Sequence, residues 1–80
     1  MSKNWFVYMV KCKDDTYYTG ATNDLKHRLQ QHNLGKGAKY TRARKPVKLI
    51  YSEECADRSV ALKRECAIKK LTRQQKEELI

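Results

Sequence analysis

The sequence contains little glycine, little proline and no long apolar run. Three glycines and one proline exclude a collagen-like or low-complexity chain. No stretch approaches the run of about 18 apolar residues that spans a membrane, so we expect no membrane association. The first five residues also lack the apolar core of a signal peptide, which predicts a cytoplasmic protein.

The number and spacing of the cysteines indicate neither a disulfide framework nor a zinc site. The three cysteines, Cys12, Cys55 and Cys66, are an odd number without a Cys-x-x-Cys pair or a histidine at zinc-finger spacing. In a cytoplasmic protein we expect them to stay reduced and to pack as small, buried apolar side chains.

Acidic residues are few relative to basic ones. Nine Asp and Glu side chains stand against 18 Lys and Arg, and the formal net charge is +9. Both halves of the chain are basic, so the excess is not a charged tail on a neutral body. Such a field concentrates polyanions, of which nucleic acid is the commonest in the cytoplasm. The charge therefore indicates nucleic acid as a partner, with mere solubility as the alternative.

Eighty residues suffice for one small domain with a single modest core. Aromatic and β-branched residues predict strands at 4–12, 17–21 and 47–53, of which the first two form a β-hairpin. With three helices between and after them, the order is ββαβαα. We therefore predict one α+β domain over residues 1–80, with a small three-stranded antiparallel sheet flanked by helices.

Capping residues predict where these helices begin. The first follows Thr22 or Asn23, and the second opens at Asp57 or Ser59. Thr72, with a glutamine three residues later, forms a capping-box pattern for a last short helix.

Two polar residues interrupt the apolar stripe of the first helix. Arg28 and His32, one turn apart, fall on the face that Leu25 and Leu29 mark as buried. Burying a guanidinium beside an imidazole is costly unless an anionic or polar group is present there. The pair is thus a candidate site. The alternative is that Arg28 reaches out to solvent while His32 is a hydrogen-bonded histidine at the edge.

Glu65 interrupts the second long helix in the same way, since it lies between Ala61, Leu62 and Ile68 on the helical wheel. A carboxylate there could hold a hard cation such as Mg²⁺. Lys69 follows in the favoured Glu-to-Lys order, four residues on, so the helix alone favours an ordinary ion pair.

Three of the five tyrosines, Tyr8, Tyr17 and Tyr18, fall in the predicted hairpin. A three-residue loop would place Tyr8 and Tyr18 on one face of the sheet, whereas a two- or four-residue loop would place Tyr17 beside Tyr8. The sequence leaves both arrangements open.

The segment 35–46 is predicted as a basic loop that carries no acidic residue. Cations interleaved with a tyrosine are typical of phosphate contacts combined with a ring that stacks on a base. A solvated loop is the alternative. Its candidate nucleic-acid-binding residues are Lys36, Lys39, Tyr40, Arg42, Arg44 and Lys45.

Taken in order, these residues resemble the GIY-YIG nuclease superfamily, and most closely its short stand-alone bacterial members. The first signature triplet reads Phe-Val-Tyr at 6–8 and the second reads Tyr-Thr-Gly at 18–20. Arg28 matches the arginine of the superfamily's helix, and His32 follows one turn later. Glu65 occupies the place of the metal-binding glutamate.

The resemblance implies a metal-dependent phosphodiesterase acting on DNA, with a role in DNA repair or recombination. Glu65 would hold one Mg²⁺, or Mn²⁺, against a phosphate oxygen, and Arg28 would neutralise charge on the phosphoryl group. Tyr8 would orient or deprotonate the attacking water, as a phenolate favoured by nearby cations. His32 would share this proton relay, and Tyr18 would bind the phosphate or the departing oxygen.

The sequence departs from the superfamily pattern in three respects. Phe6 and Val7 replace the glycine and isoleucine of the first triplet, and the late asparagine of many relatives is missing. Most characterised members also carry a separate DNA-targeting domain, for which eighty residues leave no room. Targeting would come from the basic segment, a protein partner or a homodimer. RNA is the second candidate substrate.

Two functions of other classes stay open. One is a noncatalytic nucleic-acid-binding module on a nuclease scaffold. The other is a basic domain that binds an acidic protein.

Overall fold

The central strand of the sheet comes from the most apolar part of the chain. The computed structural model describes residues 4–80, so the prediction for segment 1–5 lies mostly outside the described residues. Strand β1, Trp5–Lys11, pairs antiparallel with β2, Tyr17–Thr22, and on its other edge with β3, Lys48–Cys55. The strand order is β2-β1-β3, which confirms the predicted three-stranded antiparallel sheet. All residues from Val7 to Val10 are buried, as expected of a strand that is covered on both faces.

The register of the hairpin decides which tyrosines share a face. Lys11 pairs with Tyr17, which leaves residues 12–16 as the turn, and Val10 pairs with Tyr18. Directly opposed residues point to the same face, so Tyr18 lies on the face of Val10 and Tyr8. Tyr17 therefore lies on the opposite face.

Four helices complete the described fold, one more than predicted. The additional helix is a single turn inside the segment predicted as a basic loop, where so short an element leaves no periodic pattern to read. The order is ββααβαα, and the helices are α1, Leu25–Asn33, α2, Lys39–Arg42, α3, Arg58–Lys69, and α4, Arg73–Glu77. None of these helices is long and apolar enough to cross a membrane.

The observed caps correct one predicted helix start and confirm two others. Helix α1 is capped by Asp24, whose side chain accepts from the backbone N–H of His27. Thr22 is instead the last residue of β2, and its hydroxyl accepts from the N–H of Asp24 at 3.1 Å. Asp57 caps α3, and Thr72 forms the predicted capping box of α4.

Opposite faces of the sheet carry two different clusters. On one face Val7 and Cys55 pack against Ala61 and Ile68 of α3. On the other, Tyr8, Val10, Cys12 and Val47 pack against the leucines of α1. Because side chains alternate along a strand, neighbouring residues of β1 face two separate surroundings.

The cysteines follow the prediction only in part. All three are free thiols, and Cys12 and Cys55 are buried. The predicted burial is wrong for Cys66, which is exposed because it lies across α3 from the buried residues Ala61 and Ile68.

A partly buried ion pair joins α3 to β3. Arg64 Nε donates to Glu53 Oε1 at 2.6 Å, and the Tyr51 hydroxyl donates to the other oxygen of Glu53. Burial acts to raise the pKa of Glu53, but the hydrogen bonds from Tyr51 and Arg64 outweigh it and lower the pKa. Glu53 is therefore held ionised in the folded protein.

This ion pair predicts an acid-sensitive contribution to stability. A lowered folded-state pKa stabilises the fold above the unfolded carboxyl pKa of about 4.3, and this contribution is lost as the pH falls through the folded value. We expect Glu53→Gln to lower the free energy of unfolding at neutral pH by about 1 kcal/mol, and to flatten the loss of stability below pH ~4.3. Urea unfolding over this range measures both.

The matched control is Glu54→Gln, which changes an exposed carboxylate of the same strand. If the wild type and Glu53→Gln lost stability equally on acidification, the ionised Glu53 would not be the source of the acid sensitivity.

Candidate functional site

A buried histidine of α1 lies among the side chains on the α1 side of the sheet. His32, in the last turn of α1, has no solvent-exposed surface. Its Nε2 atom lies 2.8 Å from Tyr8 Oη, and its Nδ1 atom lies 2.8 Å from Thr41 Oγ1. Both ring nitrogens are therefore hydrogen-bonded, as a buried imidazole requires.

Aromatic rings extend from this histidine towards α2. The Tyr18 ring meets His32 edge-on at 5.5 Å between centroids and stacks on Tyr40 at 5.8 Å. The guanidinium of Arg44 lies 4.0 Å from the centre of the Tyr40 ring. The two tyrosines of the sheet face and the tyrosine of the basic segment thus form one contiguous group.

Two glycines make room for the Tyr8–His32 pair. Gly20 pairs with Tyr8 across the ladder, and a Cβ there would come within 2.5 Å of Tyr8 Oη. A Cβ at Gly37 would overlap the His32 ring at Nδ1. The glycine of the second triplet is therefore needed because any side chain would displace the phenol.

Arg28 brings an unpaired donor to the same place. It lies on α1 one turn before His32, and its Nε atom is buried with no hydrogen-bond partner among residues 4–80. Its guanidinium acts to lower the pKa of Tyr8, although the net shift of that pKa is upward. A buried guanidinium N–H without a partner is a donor for an anionic ligand such as a phosphate oxygen.

The ionisation states of Tyr8 and His32 follow from their burial. Burial raises the pKa of Tyr8, and the hydrogen bond and charge of Arg28 offset only part of this rise. Burial, followed by the charge of Arg28, lowers the pKa of His32. At neutral pH the pair is thus a phenol and a neutral imidazole. The expected phenolate is not favoured in the free protein, because burial outweighs the neighbouring cation.

Glu65 lies near the tyrosines but already has a partner. Its carboxylate binds Lys69 Nζ at 2.7 Å, which is the ion pair predicted from the helix pattern. Lys69 Nζ also lies 5.9 Å from the centre of the Tyr18 ring, and the charge of Glu65 adds slightly to the raised pKa of Tyr8. Among the described residues, no three His, Cys, Asp or Glu side chains are grouped to hold a metal. Glu65 would be a lone carboxylate ligand.

In the basic segment, residues 35–46, some side chains hold the segment against the sheet and others are exposed cations. Arg44 donates to Asp14 in the hairpin turn and to the carbonyl of Tyr40, each at 2.9 Å. Arg44 and Tyr40 therefore hold the segment against the sheet. The other predicted binding residues are exposed and form no salt bridge within residues 4–80: Lys36, Lys39, Arg42 and Lys45.

The structure thus brings together all five predicted catalytic residues and adds two supporting ones. No sequence pattern points to Thr41 or Gly37, since a threonine and a glycine in a polar segment are ordinary loop residues. Only their contacts with His32 distinguish them.

Comparison with known sequences identifies related proteins. The family model described as the GIY-YIG catalytic domain matches residues 4–78. UPF0213 protein YazA of Bacillus subtilis is 51% identical over 76 residues, which are 95% of this chain and 77% of the relative. A UPF0213 protein of Desulfotalea psychrophila is 53% identical over 77 residues, covering 95% of this chain and 70% of the relative.

Solved structures extend the likeness to the fold. The solution NMR structure of protein EF2693 from E. faecalis has a TM-score of 0.65 and 47% identity, covering 96% of this chain and 82% of the other. That of the UPF0213 protein BH0048 from Bacillus halodurans has a TM-score of 0.60 and 42% identity, covering 95% and 81%. By sequence and by fold, this chain belongs to the GIY-YIG catalytic-domain family, a nuclease-like family whose domain suggests nucleic-acid binding.

Proposed function

We propose that the protein hydrolyses DNA phosphodiester bonds with Mg²⁺ or Mn²⁺ held at Glu65, in DNA repair or recombination. The observation that carries the proposal is the 2.8 Å hydrogen bond between Tyr8 and His32, with the unpaired Nε donor of Arg28 beside it. A hydroxyl joined to a neutral base activates a nucleophile, and a guanidinium stabilises phosphoryl charge. Both are needed for phosphodiester hydrolysis.

The nucleophile is water, which must lose a proton as it attacks. The Tyr8 oxygen orients the water and takes its proton, while the phenolic proton of Tyr8 passes to His32 Nε2. This transfer requires His32 to be neutral, and burial keeps it so by lowering its pKa. The raised pKa of Tyr8 means that the phenol loses its proton only as it gains one from the water.

The phosphate is held by donors on either side of this pair. Arg28 Nε–H donates to a non-bridging phosphoryl oxygen, and its charge opposes the charge that develops there. Tyr18, whose ring contacts His32, hydrogen-bonds the phosphate or the departing oxygen.

The donor chemistry of Glu65 fits a magnesium ion. Mg²⁺ keeps several of its waters and binds through one or two carboxylates together with substrate phosphate, so one carboxylate suffices. The cation would supply Lewis-acid charge to the phosphoryl group. Lys69 has to release Glu65 when the cation binds, because the ammonium holds the same carboxylate.

That ion pair also supports a second candidate function. If Lys69 keeps Glu65 neutralised, the protein is a noncatalytic module that binds nucleic acid through its exposed cations. With either function, a protein partner or a homodimer would supply targeting. RNA is the alternative ligand.

Removing the metal ligand or the buried guanidinium should separate cleavage from binding. We expect Glu65→Ala and Arg28→Ala to abolish metal-dependent cleavage and to change DNA affinity only a few-fold, because the exposed cations of the basic segment remain. The assay uses an end-labelled panel at low salt: single strands, duplexes, flaps, nicks, four-way junctions and RNA, with Mg²⁺, Mn²⁺ or chelator. Gel shifts report binding.

Glu65→Ala, purified in parallel, also controls for contaminating nucleases. Glu54→Ala, at an exposed carboxylate, is the matched substitution that should keep cleavage. Cleavage that survives in Glu65→Ala would rule out the assigned metal ligand. Clear binding without cleavage of any substrate would favour the noncatalytic module.

The pH profile of cleavage should report His32. Because its pKa is lowered by burial and then by Arg28, we expect the rate to be level through neutral pH. The rate should fall only below the ordinary histidine value of about 6.5, as the imidazole becomes protonated. Single-turnover rates between pH 5 and 8 test this, and a midpoint above ~6.5 would contradict the neutral base.

Neutralising the exposed cations should weaken binding and its salt dependence. Each lost phosphate contact reduces the slope of log affinity against log salt by about 0.9 on duplex DNA. We therefore expect Lys39→Gln/Arg42→Gln to bind more weakly and with a smaller slope. Arg58→Gln/Lys63→Gln, on exposed residues of α3, is the charge-matched control. Identical slopes for the two variants would show that the basic segment makes no more phosphate contacts than the exposed face of α3.

A further inference from the structure

We propose that Thr41 is a positioning residue that holds His32 in the tautomer with the proton on Nδ1, so that Nε2 can accept the proton of Tyr8. Its effect on cleavage rests on the proposed function, whereas the tautomer itself can be measured without any substrate. Thr41 lies in α2, inside the basic segment, but it has no exposed surface with which to contact nucleic acid.

The surroundings of the Tyr8 hydroxyl determine which atom donates in its hydrogen bond with His32. The Tyr8 hydroxyl is almost fully buried, and its neighbours are His32 Nε2 and the Arg28 guanidinium. A guanidinium only donates. The phenolic proton can therefore be accepted only by His32 Nε2, which must carry a lone pair.

The same direction follows from the Thr41 end. Thr41 Oγ1 lies 3.0 Å from the carbonyl oxygen of Ala38, which only accepts. The single proton of the threonine hydroxyl is used there, so its oxygen accepts from His32 Nδ1 at 2.8 Å. A neutral imidazole has one N–H, which is then on Nδ1. The hydrogen bonds at Tyr8 and at Thr41 thus both require the His32 tautomer with its proton on Nδ1.

Backbone packing keeps the ring in this position. The backbone at Gly37 lies so close to His32 Nδ1 that no side chain fits between them. Ala38, the next residue, is the N-cap of α2 and also accepts from the backbone N–H of Thr41 at 3.1 Å. The acceptor of the Nδ1 proton is therefore built into a helical turn that closes over the ring.

The tautomer matters for the reaction because it decides the direction of proton transfer. With the proton on Nδ1, Nε2 is basic and can take the Tyr8 proton. With the proton on Nε2, the imidazole would donate to Tyr8 and could not act as a base. Thr41 acts through His32 and contacts no substrate.

The test compares Thr41→Val, which keeps the shape and removes the hydroxyl, with Thr41→Ser, which keeps the hydroxyl. The full chain is labelled with ¹⁵N-histidine, and long-range ¹H–¹⁵N spectra are recorded at pH ~8, well above the ordinary histidine pKa of about 6.5. The chain has two histidines, and the exposed His27 serves as the internal reference.

We expect the wild type and Thr41→Ser to show His32 protonated on Nδ1, and Thr41→Val to shift towards the Nε2–H form. On a substrate that the wild type cleaves, kcat should fall by about 10²-fold in Thr41→Val, with KM unchanged, and recover in Thr41→Ser. A wild-type protein with its proton on Nε2 would overturn the proposal. An unchanged tautomer in folded Thr41→Val would also overturn it.

The wild-type spectrum tests the proposal even if Thr41→Val fails to fold. The predicted tautomer shift in a protein that cleaves nothing would support the role of Thr41 and contradict the proposed function alone.

Discussion

The buried hydrogen bond between Tyr8 and His32 is the interaction on which the remainder of the site depends. It joins the central strand of the sheet to α1, and the other nitrogen of His32 joins α1 to α2 through Thr41. An imidazole without solvent contact is stable only when both nitrogens have partners, because an unpaired buried polar atom costs about 1–3 kcal/mol. This requirement explains why Gly20 and Gly37 have no side chain, since both lie against the pair.

Alternation along β1 places an apolar cluster on one face of the sheet and the Tyr8–His32 pair on the other. Val7 faces α3, where the packing is apolar and the Glu53–Arg64 ion pair holds the helix. Tyr8, the next residue, faces α1 and the histidine. Because the two faces share only the strand, a polar network is accommodated on one face while the other keeps an uninterrupted apolar cluster.

The basic side chains make different kinds of contact in the structure. Arg28 is partly buried beside Tyr8, and Arg44 is bound to Asp14 and stacked on Tyr40. Lys69 pairs with Glu65, the carboxylate that we propose as the cation ligand. Among residues 4–80, the exposed cations Lys36, Lys39, Arg42 and Lys45 of the basic segment form no salt bridge. Two of them lie in α2, the short helix that also contains Thr41, the partner of His32 Nδ1.

The sequence by itself determined the features that depend on local chemistry. Aromatic and β-branched residues predict the three strands. The caps at Asp57 and Thr72 lie where their side chains reach backbone N–H groups three residues on. The triplets at 6–8 and 18–20 indicated the family only together with Arg28, His32 and Glu65 at the matching spacing.

Only the tertiary structure decided the remainder, because it depends on contacts between residues distant in sequence. The turn over residues 12–16 set the register that places Tyr18 with Tyr8, which no composition of the strands specifies. Helix α2 leaves no periodic pattern, and Thr41 becomes significant only by touching a residue nine positions earlier. The neutral state of His32 is likewise a property of the assembled fold, since burial and a neighbouring arginine together set its pKa.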